Sequence, residues 1–516
     1  MKKYLSQIRF YIAGSLILYA LEVIATSMIL FFPGYLIDHY LDGKEVILKV
    51  ILVYIAVFTV YLLIAYCSNR ISDYRRIRFE KNIKKDYFDA VLGKRYGDYH
   101  KYDIGEYLSM QANDITEMCQ GYLSPLLSIF RSAMMIVAFG AALVIFVDIS
   151  IAAVIILFSV IVVFIPKFTA KNLSKSNGAY LNHVGRYTSV IKTFFEAHDI
   201  LDDQGKKKIQ NMHEAELDEV LSKNMSFRRI NSLAMVINGG AVEFMSVVSF
   251  IVIAVLLLRN QITVGMATVA FTYSTKFMDP IHELNVNIGR INSVREIKEK
   301  LDKILHDHDE TELKVLEEIK EIEAVKVRKH FADVEITIPD MKFVCPKKYL
   351  ILGENGAGKS VLFRMLMGFY KPDSGKILFN GEEDVDTGLF INYVPQQPVI
   401  FDAPYLENIT VFGTYGAEDL ERYEELFPRD LINRIKNNFD NKNLSGGEKQ
   451  VVALLRALCS KKPVLLLDEP FAAMNQAAVD AFIGRMDEID RMVIVIAHNV
   501  DGYVERFDGV YRVVRG

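Results

Sequence analysis

Apolar stretches near the length needed to cross a lipid bilayer crowd the first half of this 516-residue chain. A hydrocarbon core of about 30 Å takes roughly 20 mostly apolar residues in helical conformation. Six stretches qualify or come close: Phe10 to Leu36, Val46 to Tyr66, Leu126 to Val147, Ile149 to Phe168, Leu233 to Leu258 and Val264 to Met278. The sixth is the most diluted, by Thr, Tyr and Lys276. Lys and Arg near the span ends set the orientation. Lys2, Lys3 and Arg9 precede the first span, and a run from Arg70 to Lys85 follows the second. Lys167, Lys171 and Lys175 follow the fourth, and Arg290 and Arg295 the sixth. The alternate connections are short and hold few basic residues, so both chain ends are expected in the cytoplasm. The first apolar run is too long for a cleaved signal peptide and reads as an anchor.

Two charged stretches, Asn69 to Ser124 and Ala170 to Arg229, separate the spans and hold few Gly or Pro. They are expected to continue the membrane helices well into the cytoplasm, with tips near 96–105 and 202–208. The alternative is a pair of irregular loops, which are uncommon at that length.

At 516 residues two or three domains are expected. With 60 Lys and Arg against 64 Asp and Glu, the formal net charge is −4, without the basic surplus of a nucleic-acid binder. Cys67, Cys119, Cys345 and Cys459 lie far apart with no CxxC pair, which argues against a disulfide framework or a thiolate metal site. Usage rich in Lys, Ile and Asn points to an AT-rich bacterial genome, and hence to a bacterial cytoplasmic membrane.

Beyond about Glu317 short apolar strands alternate with helices, the pattern of an α/β domain. The strand Tyr349-Leu350-Ile351-Leu352 runs into Gly353-Glu354-Asn355-Gly356-Ala357-Gly358-Lys359-Ser360, and a helix follows from Val361. This is GxxxxGK[ST] between strand and helix, where glycines let backbone N–H groups close around phosphates and the helix N-terminus adds positive potential. Lys359 is placed to reach the β- and γ-phosphates of ATP, and the Ser360 hydroxyl to coordinate Mg²⁺. A second strand, Val464 to Leu467, ends in Asp468-Glu469. In an open α/β sheet this puts both carboxylates beside the phosphate loop, Asp468 for Mg²⁺ and Glu469 for the attacking water.

Leu444-Ser445-Gly446-Gly447-Glu448, at a helix start just before the Asp468 strand, resembles the signature sequence of ABC transporter ATPases. The resemblance extends over the whole chain, to the exporter half-transporter type. Ile104-Gly105-Glu106-Tyr107 through Asn113-Asp114 is similar to that type's first intracellular loop, and Gln261 to Gly265 with Pro280 to its sixth span. The resemblance implies a six-helix, all-α membrane domain over 1–300, a linker over 301–318 and an α/β ATPase domain over 319–516. It implies that Gln396 contacts Mg²⁺ and water, that His498 lies near the γ-phosphate and that Phe331 stacks on adenine, although a packed core aromatic is an equal reading for Phe331. It also implies a second half-transporter chain, because each signature would clamp the partner's ATP. Since every motif is present once and intact, a homodimer is the first expectation and a heterodimer the second.

Three positions depart from the family pattern. Asn475 replaces the usual aspartate of the loop that couples the two sites, and Val361 removes a hydroxyl near the α-phosphate. Residues 437–443 lack the usual exporter sequence. The catalytic set is nevertheless complete, so an active ATP hydrolase driving export of a peptide, drug-like or lipid-like cargo by alternating access is expected. Residues 1–10 lead straight into the first span, so no N-terminal peptidase domain is expected. An exporter-shaped importer, such as one for siderophores, and a membrane ATPase that senses rather than transports remain alternatives. Within the spans Glu22, Arg131 and Glu243 are ionisable, and such residues usually face an interior or a wet cavity. The two acids either attract a cationic cargo, pair with Arg131 to hold spans together, or are simply protonated.

Overall fold

The structure, a computed structural model, describes residues 1–146, 149–306, 313–331, 334–440, 443–497 and 502–514. The chain divides into two compact units, Met1–Phe88 with Leu108–Ile304, and Asp89–Tyr107 with Leu305–Gly516.

The first unit is helical. After α1 (Lys2–Gln7) come α2 (Arg9–Asp38) and α3 (Lys44–Leu92); α4 (Tyr96–Tyr99) falls in the second unit. α5 (Ile104–Ser109) leads through a π turn at Met110–Asp114 into α6 (Ile115–Phe146). α7 (Ile149–Glu196), α8 (Asp203–Leu258), α9 (Val264–Lys276), α10 (Met278–Ser293) and α11 (Arg295–His306) follow. At 1.5 Å per residue, α3, α7 and α8 are each about 70–85 Å long, more than twice the hydrocarbon thickness. α7 and α8 pack along each other, and Asp202 starts α8 by accepting the Gly205 N–H at 2.7 Å.

Among the described residues four runs are long and apolar enough to span: Arg9–Asp38, Lys44–Leu92, Ile104–Ile145 and Asp203–Leu258. The most apolar part of α3 has no buried residue, and Leu52, Phe58, Leu62 and Leu63 stand exposed, a surface suited to lipid. The fourth apolar stretch lies on α7, where many side chains fall outside the described residues. The sixth occupies α9, only 13 residues long, but α9 and α10 form a nearly continuous rod. Phe277 between them keeps helical dihedrals, φ −64° and ψ −24°. Pro280 supplies no N–H to the Lys276 carbonyl, which accounts for the interruption there.

α2 and α9 approach closely because small residues line the contact. A Cβ on Gly265 would lie 2.2 Å from the Gly34 carbonyl oxygen, and one on Gly34 would lie 2.2 Å from Val269. Asp38 then caps α9 from α2, accepting from the Thr263 hydroxyl at 2.5 Å and the Gly265 N–H at 2.8 Å. Lower down, the Tyr273 hydroxyl donates to the Ser27 carbonyl at 2.6 Å.

The second unit holds two sheets. β1 (Glu321–Phe331) pairs antiparallel with β2 (Val334–Thr337), β3 (Met341–Val344) and β5 (Ser374–Phe379). Among the described residues the second sheet runs β6-β7-β8-β4-β9, all parallel: β4 (Lys348–Gly353), β6 (Ile391–Val394), β7 (Val464–Asp468), β8 (Met492–Ile496) and β9 (Gly509–Val513). Its central strands are mostly apolar because both faces are covered. Leu465, Leu467, Val493 and Val495 face a core shared with Phe482 and Leu455; Val464, Leu466, Ile494 and Ile496 face one shared with Phe363 and Phe343. The helices are α12 (Lys359–Leu366), α13 (Tyr405–Thr410), α14 (Leu420–Glu424), α15 (Arg429–Asn437), α16 (Gly446–Cys459) and α17 (Gln476–Gly484).

Gly265→Ala is expected to lower stability by about 1–3 kcal/mol, the usual cost of overpacking a tight contact. Gly178→Ala, with nothing within 4 Å of the added methyl, is the control and should hold or raise it. Thermal midpoints by circular dichroism in detergent check this; equal midpoints would contradict the close α2–α9 contact.

Candidate active site

β4 ends at Gly353, and the chain turns over Glu354, Asn355 and Gly356, which are exposed, before burying Ala357, Gly358 and Lys359 at the start of α12. Gly358 has φ +101°, a left-handed conformation, and a Cβ there would lie 2.3 Å from Ile336 Cγ2. Both conditions select glycine. Lys359 is 5% exposed, and its ammonium donates to the Gly353 carbonyl at 2.6 Å and the Glu354 carbonyl at 3.0 Å. Burial pulls its pKa below the ordinary lysine value, against the opposing charges of Glu469 and Asp468. A polyphosphate drawn into the loop would exchange those carbonyls for anionic oxygens.

β7 delivers Asp468 to the same end of the sheet, with β8 between it and β4. Burial raises the Asp468 pKa, and hydrogen bonds from the Tyr393 hydroxyl, at 3.0 Å, and from Ser360 work in the other direction. The next residue, Glu469, stands at φ +50°, an uncommon conformation for a residue with a side chain, and its N–H donates to the Ile496 carbonyl at 2.9 Å. Its carboxylate accepts from Gln396 Nε2 at 2.8 Å. Ser360, Asp468, Glu469 and Gln396, read from separate stretches of sequence, therefore converge on the phosphate loop.

The loop after Gln396 is held from α16. Arg456 donates to the carbonyls of Asn408 at 2.7 Å and Val399 at 2.8 Å, and stacks over Phe401 at 4.9 Å. Fully buried Asn408 closes the loop on itself through Phe401 N–H and the carbonyls of Phe401 and Ala403. Gln450 on α16 reaches the Pro395 carbonyl at 3.4 Å.

α16 begins at the signature residues. Leu444 is buried, and Ser445 caps the helix in a reciprocal box with Glu448. Burial pushes the Glu448 carboxyl up, but the Ser445 N–H, the Ser445 hydroxyl and Arg434, at 2.8 Å, hold it below the usual glutamate value. Gly446 and Gly447 leave the backbone of this helix start open, and a Cβ on Gly447 would meet the Ala473 carbonyl at 2.5 Å. That contact sets the loop of Asn475 against the signature, and Asn475 caps α17 by accepting the Ala478 N–H at 2.9 Å, as an aspartate would.

Phe331, at the end of β1, is half-buried with its ring edge-on to Tyr370, centroids 5.4 Å apart. Val361 packs against the apolar core below α12. His498 lies outside the described residues. In the first unit, Arg131 stands 3.6 Å from Glu22 and 3.2 Å from Glu283, whereas Glu243 is exposed on α8. Sequence reasoning had no signal for Tyr393, Asn408, Arg434 or Arg456, whose partners are distant in the chain. It missed Glu283 because α10 carries the sixth apolar stretch onward past Met278.

The profile of the ABC transporter transmembrane region matches residues 12–281, and that of the ABC transporter matches residues 338–472. The chain belongs to the ABC transporter family. A putative export ATP-binding/permease protein of Rickettsia typhi is 24% identical to this transporter over 93% of this chain and 86% of its own length. An ATP-dependent lipid A-core flippase of Photobacterium profundum is 23% identical over 84% of this chain and 77% of its own. The transport/processing ATP-binding protein ComA of Streptococcus pneumoniae is 32% identical over 33% of this chain and only 25% of its own length. A bacterial Atm1-family ABC exporter solved with ATP bound covers 98% of this transporter at a TM-score of 0.81 and 18% identity, so the exporter fold is common to both. The transporter is thus a fused half-transporter with a helical transmembrane domain and an ATP-hydrolysing ABC domain.

Tyr393→Phe removes a hydrogen bond that favours ionised Asp468, so burial should raise that pKa further. The acid limb of the ATPase rate profile is expected to move to higher pH. An unmoved limb would mean that the Asp468 charge does not govern the rate.

Proposed function

We propose that two copies of this chain form an ATP-driven exporter in a bacterial cytoplasmic membrane, with both ends and the ATPase domain cytoplasmic. The observation that carries the proposal is the convergence of Lys359, Ser360, Asp468, Glu469 and Gln396 at one sheet end, in a chain that also carries bilayer-length helices. Export is supported by the relatives that align over most of the chain, a putative export ATP-binding/permease protein and a lipid A-core flippase.

In this reading the loop of Gly353, Glu354, Asn355, Gly356, Ala357, Gly358 and Lys359 cradles the phosphates of ATP, and Phe331 lies against the adenine. Lys359 neutralises charge on the transferring phosphoryl group. Glu469, steadied by Gln396, orients and deprotonates the attacking water. His498 contributes near the γ-phosphate. Mg²⁺ fits the donor set, because hydroxyl, carboxylate and amide oxygens are hard ligands and Mg²⁺ is commonly held by one or two carboxylates beside phosphate. Ser360, Asp468 and Gln396 would hold it, and it would supply charge neutralisation on the phosphate oxygens. Ser445, Gly446 and Gly447 of one chain clasp the ATP of the other, and the Asn475 loop joins the two sites.

The composite site has a direct test. The reconstituted chain should hydrolyse ATP, and Glu469→Gln should lower turnover roughly 10²–10⁴-fold, the share of a general base. Lys359→Ala and Ser445→Ala chains, each inactive alone, should regain activity when co-assembled, since one of the two sites is then intact. A mixture as inactive as its components would refute the two-chain site.

A further inference from the structure

The membrane unit carries an open cavity of about 700 Å³, within the size range of small-molecule sites. Its ionisable lining is Glu22, Glu243, Asp279 and Glu283 against Arg131, Lys276 and His282. Both permanent cations are already engaged. Arg131 lies between Glu22 and Glu283 and over the Tyr19 ring at 5.9 Å, while Lys276 pairs with Asp279 at 3.0 Å. Ser132 donates a further hydrogen bond to Glu283 at 2.8 Å.

Two carboxylates exceed what these cations balance. Glu22 is 8% exposed and its Oε2 is buried with no hydrogen-bond partner, an expensive arrangement unless something of positive charge can approach. Across the cavity Glu243, among the described residues, forms no ion pair. Tyr61 and Phe139 add π faces, and Leu30, Met135 and Met278 add apolar surface. A carboxylate excess beside aromatic faces recognises a cation with an apolar body.

We infer that this cavity binds a lipophilic organic cation, with Glu22 and Glu243 as its charge partners. Anionic compounds of the same shape are excluded by the carboxylate excess. The inference rests on the export reading only for its transport consequence, since binding can be measured without ATP.

The test uses the full-length chain in lipid nanodiscs, with tetraphenylphosphonium and its anionic isostere tetraphenylborate, read by equilibrium dialysis against protein-free discs. Tetraphenylphosphonium should bind, and tetraphenylborate should bind far more weakly. Glu243→Gln should weaken the cation roughly tenfold, equivalent to about 1.4 kcal/mol, and Glu22→Gln by at least as much. Glu22→Gln also disturbs the Arg131 pair, so Glu243→Gln, whose carboxylate has no ion pair, is the deciding variant. Absence of cation binding, equal binding of the borate, or an unchanged affinity in Glu243→Gln would overturn the inference. Charge-dependent binding without ATP-dependent movement in proteoliposomes would instead sink the export reading and leave the cation site standing.

Discussion

The parallel pairing of β7 and β4 to the two sides of β8 decides where Lys359, Ser360, Asp468 and Glu469 stand. Apart from Lys348 at the start of β4 and Asp468 at the end of β7, these short strands are largely apolar, which suits them to the centre of a sheet covered on both faces. Once there, the strands end together, and the residues that follow them emerge at one edge. Gly353 to Ser360 and Asp468 to Glu469 are far apart in the chain, yet the shared register places them side by side. The hydrogen bonds of Ser360 and Tyr393 to Asp468, and of Gln396 to Glu469, follow from that register.

Burial gives these groups their electrostatic character. It lowers the Lys359 pKa and raises that of Asp468, so each charged form is costly alone and favoured by the other. α16 extends the arrangement outward. Its first turn carries the signature residues, and its body grips the loop after Gln396 through Gln450 and Arg456. α16 is therefore tied to the segment on either side of Gln396, through the Pro395 and Val399 carbonyls, within one unit.

The membrane unit follows a different rule, because lipid gives apolar helices no reason to prefer one another. Close approach at Gly34 and Gly265, the Asp38 cap and the Glu22–Arg131–Glu283 contacts specify which helices meet. The charges of this unit consequently do two jobs: Arg131 holds α2, α6 and α10 together, while the carboxylates left over face a cavity. The cargo and pairing readings of Glu22 are thus compatible in one side chain, with Oε1 toward Arg131 and Oε2 unpartnered.

Much of this is legible in the sequence. Apolar length alone marked the four runs that are long and apolar enough to span among the described residues, since a bilayer imposes a minimum that few soluble helices meet. The phosphate loop and the acids after Val464 to Leu467 were legible because their chemistry depends on neighbours in the chain: a strand, a glycine turn and a helix start. Groups that act through distant partners were not legible. Nothing near Tyr393 indicates Asp468, nothing near Arg434 indicates Glu448, and the reach of Arg456 to Asn408 depends on how a loop folds back on α16. Glu283 was hidden because composition falls off at Met278 while the helical rod continues across Phe277. The elements and the local chemistry rest on short-range sterics and apolar length, which are written along the chain; the pairings come from the fold, because a hydrogen bond or an ion pair acts only over a few ångströms.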